Sequence, residues 1–159
     1  MTQEVLFWTF STIAQSFVAL VSLLGMVGIY RIQIIKHDIG ILANSIRPLI
    51  RQIRKDADGY TTNKIVKDVK GLAKSRKDLP AITKANNEFI NFHKQIYHIK
   101  KEATHFICET LFVVAISIFG LFFTPLIAGT AFATIALIFI ILISSMVLYS
   151  SYRFVRCMM

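Results

Sequence analysis

Only 9 of the 159 residues are acidic, 3 are proline and 2 are cysteine. Each scarcity excludes something. The spacing of Cys108 and Cys157 fits neither a zinc site nor a disulfide framework, so both are expected to be ordinary thiols. Cys157 also lies outside the prenylation signature. There is no P-loop, no Gly-rich dinucleotide turn, no His-Glu-x-x-His zinc motif and no TVGYG-type potassium filter. No strand pattern, internal repeat or low-complexity segment occurs. No nucleic-acid module is recognisable either, so a nucleic-acid partner is not expected. No cofactor is expected.

What the chain does have is apolar residues, 55% of the total, including 13 Phe. They cluster in long runs. Leu6 to Ile29 holds no charge over 24 residues, more than the roughly 20 that cross hydrocarbon at 1.5 Å per residue. A cleavable signal peptide would carry a basic leader and a shorter apolar core, whereas the leader here is MTQEV; the segment is expected to be retained. Phe106 to Phe123 and Ala131 to Tyr149 form two more runs, separated by Thr124-Pro125 and Gly129-Thr130, residues that stop helices. Three spans provide no pair of inverted repeats of the transporter kind.

The expected fold class is therefore an all-α membrane protein with three transmembrane helices and a cytoplasmic helical bundle formed largely by extensions of the first two. The expected organisation is an external leader at 1–5, span one at 6–30, a basic cytoplasmic region at 31–104, span two at 105–124, an external turn at 125–130, span three at 131–150 and a cytoplasmic tail at 151–159. Sixteen of the 18 Lys and Arg fall in 31–104 against seven acids, so this region carries the whole formal charge of +9. By the positive-inside rule the amino terminus is outside and the carboxyl terminus cytoplasmic, in the inner cell membrane. A basic region there is attracted to anionic inner-leaflet lipid at about 1 kcal/mol per Lys or Arg.

The helices are expected to continue beyond the bilayer. Ile32, Ile35, Ile39, Leu42, Ile46, Leu49 and Ile53 recur at three and four, a heptad seam of about three repeats. The same register runs back into the membrane through Gly28, Gly25, Val21, Val18, Ala14 and Ser11, becoming small where helices associate by close backbone approach. The seam meets either another copy or the chain's own third segment. Pro48 is expected to interrupt or bend the helix. After the DADGY turn at 56–60, Lys64 to Lys77 forms an amphipathic helix with Ile65, Val69 and Leu72 on one side. Lys67, Lys70, Lys74 and Lys77 lie on the other, as headgroup contacts or, the favoured reading, as a solvated face. Leu79-Pro80 opens a third helix whose apolar positions, Ile82, Ala85, Phe89, Phe92, Ile96, Ile99, Ala103 and Phe106, lead into span two.

Phe10 to Gln33, FSTIAQSFVALVSLLGMVGIYRIQ, resembles the opening helix of small, mostly uncharacterised prokaryotic membrane proteins, through Ser-Thr-Ile-Ala-Gln and a closing Tyr-Arg-Ile-Gln. The resemblance implies a bacterial or archaeal cell membrane. It carries no activity and no site residue.

Few residues are placed for chemistry. His98, Glu102, His105 and Glu109 share a helix face, and Glu102-x-x-His105 is one half of a di-iron bundle motif. One half is not a site, so these residues are read as a polar face entering the interface. Glu109 stands either inside the hydrocarbon, where a carboxyl group costs at least about 2–3 kcal/mol and marks function, or at the headgroups. In span one Ser11, Gln15 and Ser22, with Thr12 and Ala19 beside them, form a polar stripe that packs against a neighbour or lines a pore.

The leading expectation is a small non-enzymatic membrane protein in a homo-oligomeric assembly that encloses an ion-conducting path. The alternative is an accessory or scaffold subunit docking unlike membrane proteins. A metal-dependent membrane enzyme is the third, and the lone Glu-x-x-His pair argues against it. Purified protein should accordingly carry iron, manganese and zinc at background by metal analysis; a stoichiometric metal would reverse that ordering.

Overall fold

The computed structural model describes residues 2–54, 57–75 and 79–159. Four α-helices account for most of them: α1 at Gln3–Ile53, α2 at Thr62–Ser75, α3 at Pro80–Ile127 and α4 at Ala131–Met158, with a 3-10 turn at Ala57–Gly59. Among the described residues there is no strand. Charges at the ends suit the helix dipole, with Glu4 in the first turn of α1 and Arg51, Lys74 and Arg156 in the last turns of α1, α2 and α4. α1 and α3 have 51 and 48 residues, more than twice what a span requires.

The two internal prolines do not end their helices. Pro48 lies on the exposed side of α1, which runs on to Ile53. α3 likewise passes Pro125 and stops only at Ile127. A proline removes one donor, yet the residues after it still bond backwards, as the Ala128 amide does to the Thr124 carbonyl at 3.0 Å. What ends α3 is Gly129, with φ +82, the one positive φ among the described residues; a side chain there would be strained. Gly59 does not take that conformation, because Ala57–Gly59 closes as a 3-10 turn. Thr130 starts α4, its hydroxyl donating to the Ile127 carbonyl at 2.6 Å. Pro80 occupies the first position of α3, where its missing N–H costs nothing.

The chain divides into two compact units, Met1–Ile29 with Ile99–Met159, and Tyr30–His98. The second packs α1, α2 and α3 around an apolar core. α1 buries Ile35, Ile39, Ala43, Ile46 and Ile50, α2 buries Ile65, Val69 and Leu72, and α3 buries Ile82, Ala85 and Phe89. Each buried aliphatic side chain contributes about 1.5–3 kcal/mol of transfer free energy. The connection is tied down too. Tyr60 is buried under the Lys64 ammonium, 3.6 Å from the ring centroid, and Arg54 meets Asp68 at 3.4 Å.

The first unit is built the other way. α1, α3 and α4 present Trp8, Phe122, Leu126 and Phe132 outward at 68–77% exposure, and at most 22% of the most apolar window of any span is buried. Water would not tolerate that surface; lipid does. All three helices are long and apolar enough to cross a membrane, and the chain is a multi-pass membrane protein. Its interior is narrow. α4 steps by sevens through Ala133, Ile140, Val147 and Phe154, and α3 by threes and fours through Phe106, Thr110, Val113 and Ser117.

Two glycines set the closest approaches in this unit. A Cβ on Gly120 would lie 2.8–2.9 Å from three atoms of the Phe10 ring, and one on Gly28 would lie 2.8 Å from Phe154 Cζ. The aromatic rings fill the notches that the missing side chains leave. Phe154 also stacks on Phe106, centroids 5.9 Å apart and planes at 9°. Phe10 is only 2% exposed, so its ring has nowhere to retreat. Gly120→Ala should therefore destabilise the detergent-solubilised protein by about 1–3 kcal/mol in thermal unfolding. Gly25→Ala, where a Cβ meets nothing within 4 Å, should be neutral or stabilise by up to about 1 kcal/mol through helix propensity.

Candidate functional site

The polar residues of the membrane unit fall into three groups with different surroundings. Thr110, Ser117 and Thr124, seven apart on α3, are buried. Each hydroxyl donates to the carbonyl four residues earlier, at 2.7, 2.9 and 2.7 Å. They are satisfied by their own helix and need no partner.

The stripe on α1 is the second group. Ser11 is half-buried, and Gln15 and Ser22 are exposed with Thr12 and Ala19. Ser22 donates to the Val18 carbonyl at 3.0 Å, and the Gln15 amide reaches Ser11 Oγ at 3.4 Å. The stripe thus faces away from the interior formed by α1, α3 and α4. The register that leads to it is rotated from the one that packs. Of the small positions proposed for contact within the span, Gly28 is buried, Ser11, Ala14, Val21 and Gly25 are half-buried and Val18 is exposed, whereas Leu6, Phe10 and Phe17 are fully buried. In the second unit Ile35, Ile39 and Ile46 are buried within the chain itself, and Ile32, Leu42, Leu49 and Ile53 are half-buried.

The third group forms the candidate site. α3 and α4 flank a cavity of about 410 Å³ lined by His105 and Glu109 from α3 and by Ser145, Tyr149, Ser150 and Arg153 from α4. His105 Nδ1 lies 3.1 Å from Glu109 Oε1, one turn away on the same helix. Glu109 Oε2 is buried and has no hydrogen-bond partner among the described residues, although the side chain as a whole is 32% exposed. That exposure belongs to the rest of the side chain. Beside it Arg153 bonds to Glu102 at 3.0 Å, an ion pair joining α4 to α3 across 51 residues of sequence. The cavity therefore holds one carboxyl group half-engaged by imidazole, a guanidinium already engaged by a second carboxylate, and hydroxyls from two serines and a tyrosine. At Glu109 such a set can accept a hydrogen bond from a proton donor or coordinate a small cation, with Arg153 held in place by Glu102.

The remaining candidates are dispersed. His98 is exposed and meets Tyr97 edge to face at 6.1 Å. Among the described residues no three His, Cys, Asp or Glu side chains are grouped to hold a metal. Lys67, Lys70 and Lys74 are exposed on α2, and Lys77 lies outside the described residues. Sequence spacing found Glu102, His105 and Glu109 but not their partners on α4. Arg153 lies 44 to 51 residues downstream of them, and only its place with Arg156 just beyond the apolar run could have pointed to it. No protein-family model, curated protein or solved structure matches the chain.

The site's polar groups differ in what they contribute to stability. Glu109→Leu removes a buried oxygen without a partner and should leave thermal stability unchanged or raise it by about 1 kcal/mol. Arg153→Met leaves Glu102 unpaired and should lower it by about 1 kcal/mol, a value discounted because Arg153 is half exposed. Adding Glu102→Gln to Arg153→Met should recover most of that loss, as read from unfolding midpoints in one detergent.

Proposed function

We propose that the chain is a non-enzymatic protein of a prokaryotic inner membrane that assembles with copies of itself through the outward face of α1, enclosing an ion-conducting path. The observation carrying this reading is Gln15. It stands in the middle of a charge-free apolar run, exposed, with a single long contact to Ser11. A carboxamide in hydrocarbon is costly unless both its donors and its acceptor are engaged. Lipid tails offer neither.

A second copy does. A primary amide is both donor and acceptor, so Gln15 of one copy donates to the next and accepts from the one before, the head-to-tail contact that closes a ring. Thr12, Ala19 and Ser22 beside it are small enough for close approach, and interhelical hydrogen bonds contribute about 0.6–2 kcal/mol each. Around a closed ring the same face provides neutral dipoles, the lining of a path for partly hydrated ions. The Glu109 cavity belongs to α3 and α4 of one protomer and stands apart from that axis. Charge distribution sets the orientation, with residues 31–104 on the cytoplasmic side, where their basic surface meets anionic inner-leaflet lipid.

Native mass spectrometry of the protein in nanodiscs tests the assembly. Several copies per particle are expected, and Gln15→Leu should weaken association about fivefold for each hydrogen bond lost at ~1 kcal/mol. Ion flux into liposomes should fall in parallel. A clean monomer for the parent protein would overturn the reading, and a foreign protein co-purifying at fixed stoichiometry would replace it with an accessory-subunit role.

A further inference from the structure

A second cavity, of about 390 Å³, lies within the Tyr30–His98 unit between α2 and α3. Its apolar wall is Val66 on α2 and Phe89 and Tyr97 on α3, and Lys70, His93 and Lys94 border it. We propose that this groove binds a single-chain anionic amphiphile of the fatty-acid class, its hydrocarbon against Phe89 and Tyr97 and its carboxylate between Lys70 and Lys94.

Charge comes first. No Asp or Glu borders the groove, and among the described residues neither Lys70 nor Lys94 makes an ion pair. His93 adds a further donor or acceptor; its Nδ1 must carry hydrogen to donate to the Phe89 carbonyl at 2.8 Å, which fixes the ring and leaves Nε2 for other contacts. An anion entering here neutralises two cations that make no ion pair among the described residues. A cation would meet only repulsion.

Shape selects among anions. The wall extends from Asn86 to Tyr97 on α3, about 16 Å at the α-helical rise. An extended hydrocarbon chain can lie along a wall of that length, with its charged end at the lysines. The volume also falls in the range of small-molecule sites, which are mostly apolar with a few placed polar groups. Tyr97, 65% exposed, would gain cover from the ligand.

The test uses the full chain in phosphatidylcholine nanodiscs with a diazirine-bearing tetradecanoate, photolysed and mapped by peptide mass spectrometry. Labelling is expected on the peptides of α2 and α3 that hold Val66 and Phe89 to Tyr97. Excess tetradecanoate should compete and tetradecanol should not. Lys70→Glu with Lys94→Glu, both exposed positions, should reduce labelling about tenfold. Val66→Trp, which fills the groove without altering charge, should abolish it. Labelling confined to the apolar spans, or unchanged in both variants, would overturn the proposal. So would displacement by an acidic helical peptide without competition from tetradecanoate, which would assign the groove to a protein partner.

Discussion

Inside a bilayer no water is released when two helices meet, so apolar surface alone cannot draw them together. Contact must come from fit, and here it comes from aromatic rings set into glycine notches: Phe10 against Gly120 and Phe154 against Gly28. The rest of the membrane unit depends on those two placements. They bring α1 beside α3 and beside α4, they direct Trp8, Phe122 and Phe132 outward, and they leave the Gln15 side of α1 uncovered. In the Tyr30–His98 unit the constraint is reversed. There isoleucines, valines and leucines pack, and no atom comes within 4 Å of a Cβ built on Gly40, Gly59 or Gly71.

The polar groups divide along similar lines. Hydroxyls at 110, 117 and 124 are buried and bonded to their own helix, so they fill space without specifying a neighbour. Gln15 and the Glu109 carboxyl are different, each leaving hydrogen-bonding capacity unused in a single chain. Arg153 and Glu102 sit between these cases, since they satisfy each other and in doing so join α4 to α3. A chain whose helices are held by shape can leave such groups incompletely satisfied without losing its fold.

Much of the helix layout was legible in the amino-acid pattern, because three long apolar runs, two of them free of charge, and two apolar stripes are strong signals. Of the eight residues read as one face, Ile82, Ala85, Phe89, Ile99 and Phe106 are buried and Phe92, Ile96 and Ala103 are half-buried. Within the span, the α1 residues buried inside the chain, Leu6, Phe10 and Phe17, lie beside the seam of small residues, which stays largely half-buried. Five turns at 3.6 residues per turn lead from Gly28 back to Phe10, whereas a heptad count leads towards Ser11; the ring size of Phe10 and Phe17 then decides which face packs. Helix stops were harder. Thr124-Pro125 read as an end, yet a proline removes a single bond, and only the positive φ of Gly129 turns the chain. The α4 side of the cavity was invisible for another reason: Ser145, Tyr149 and Arg153 gain meaning only from residues about 40 positions away on α3.

The Phe10–Gly120 contact has a temporal side. Its two halves are separated by 110 residues, which a ribosome adds in roughly 5–20 s. For that interval α1 resides in the membrane as a solitary helix, with neither Gly120 nor Phe154 yet synthesised. The order in which the helices pack is thus written into the spacing of a single ring and the notch that receives it.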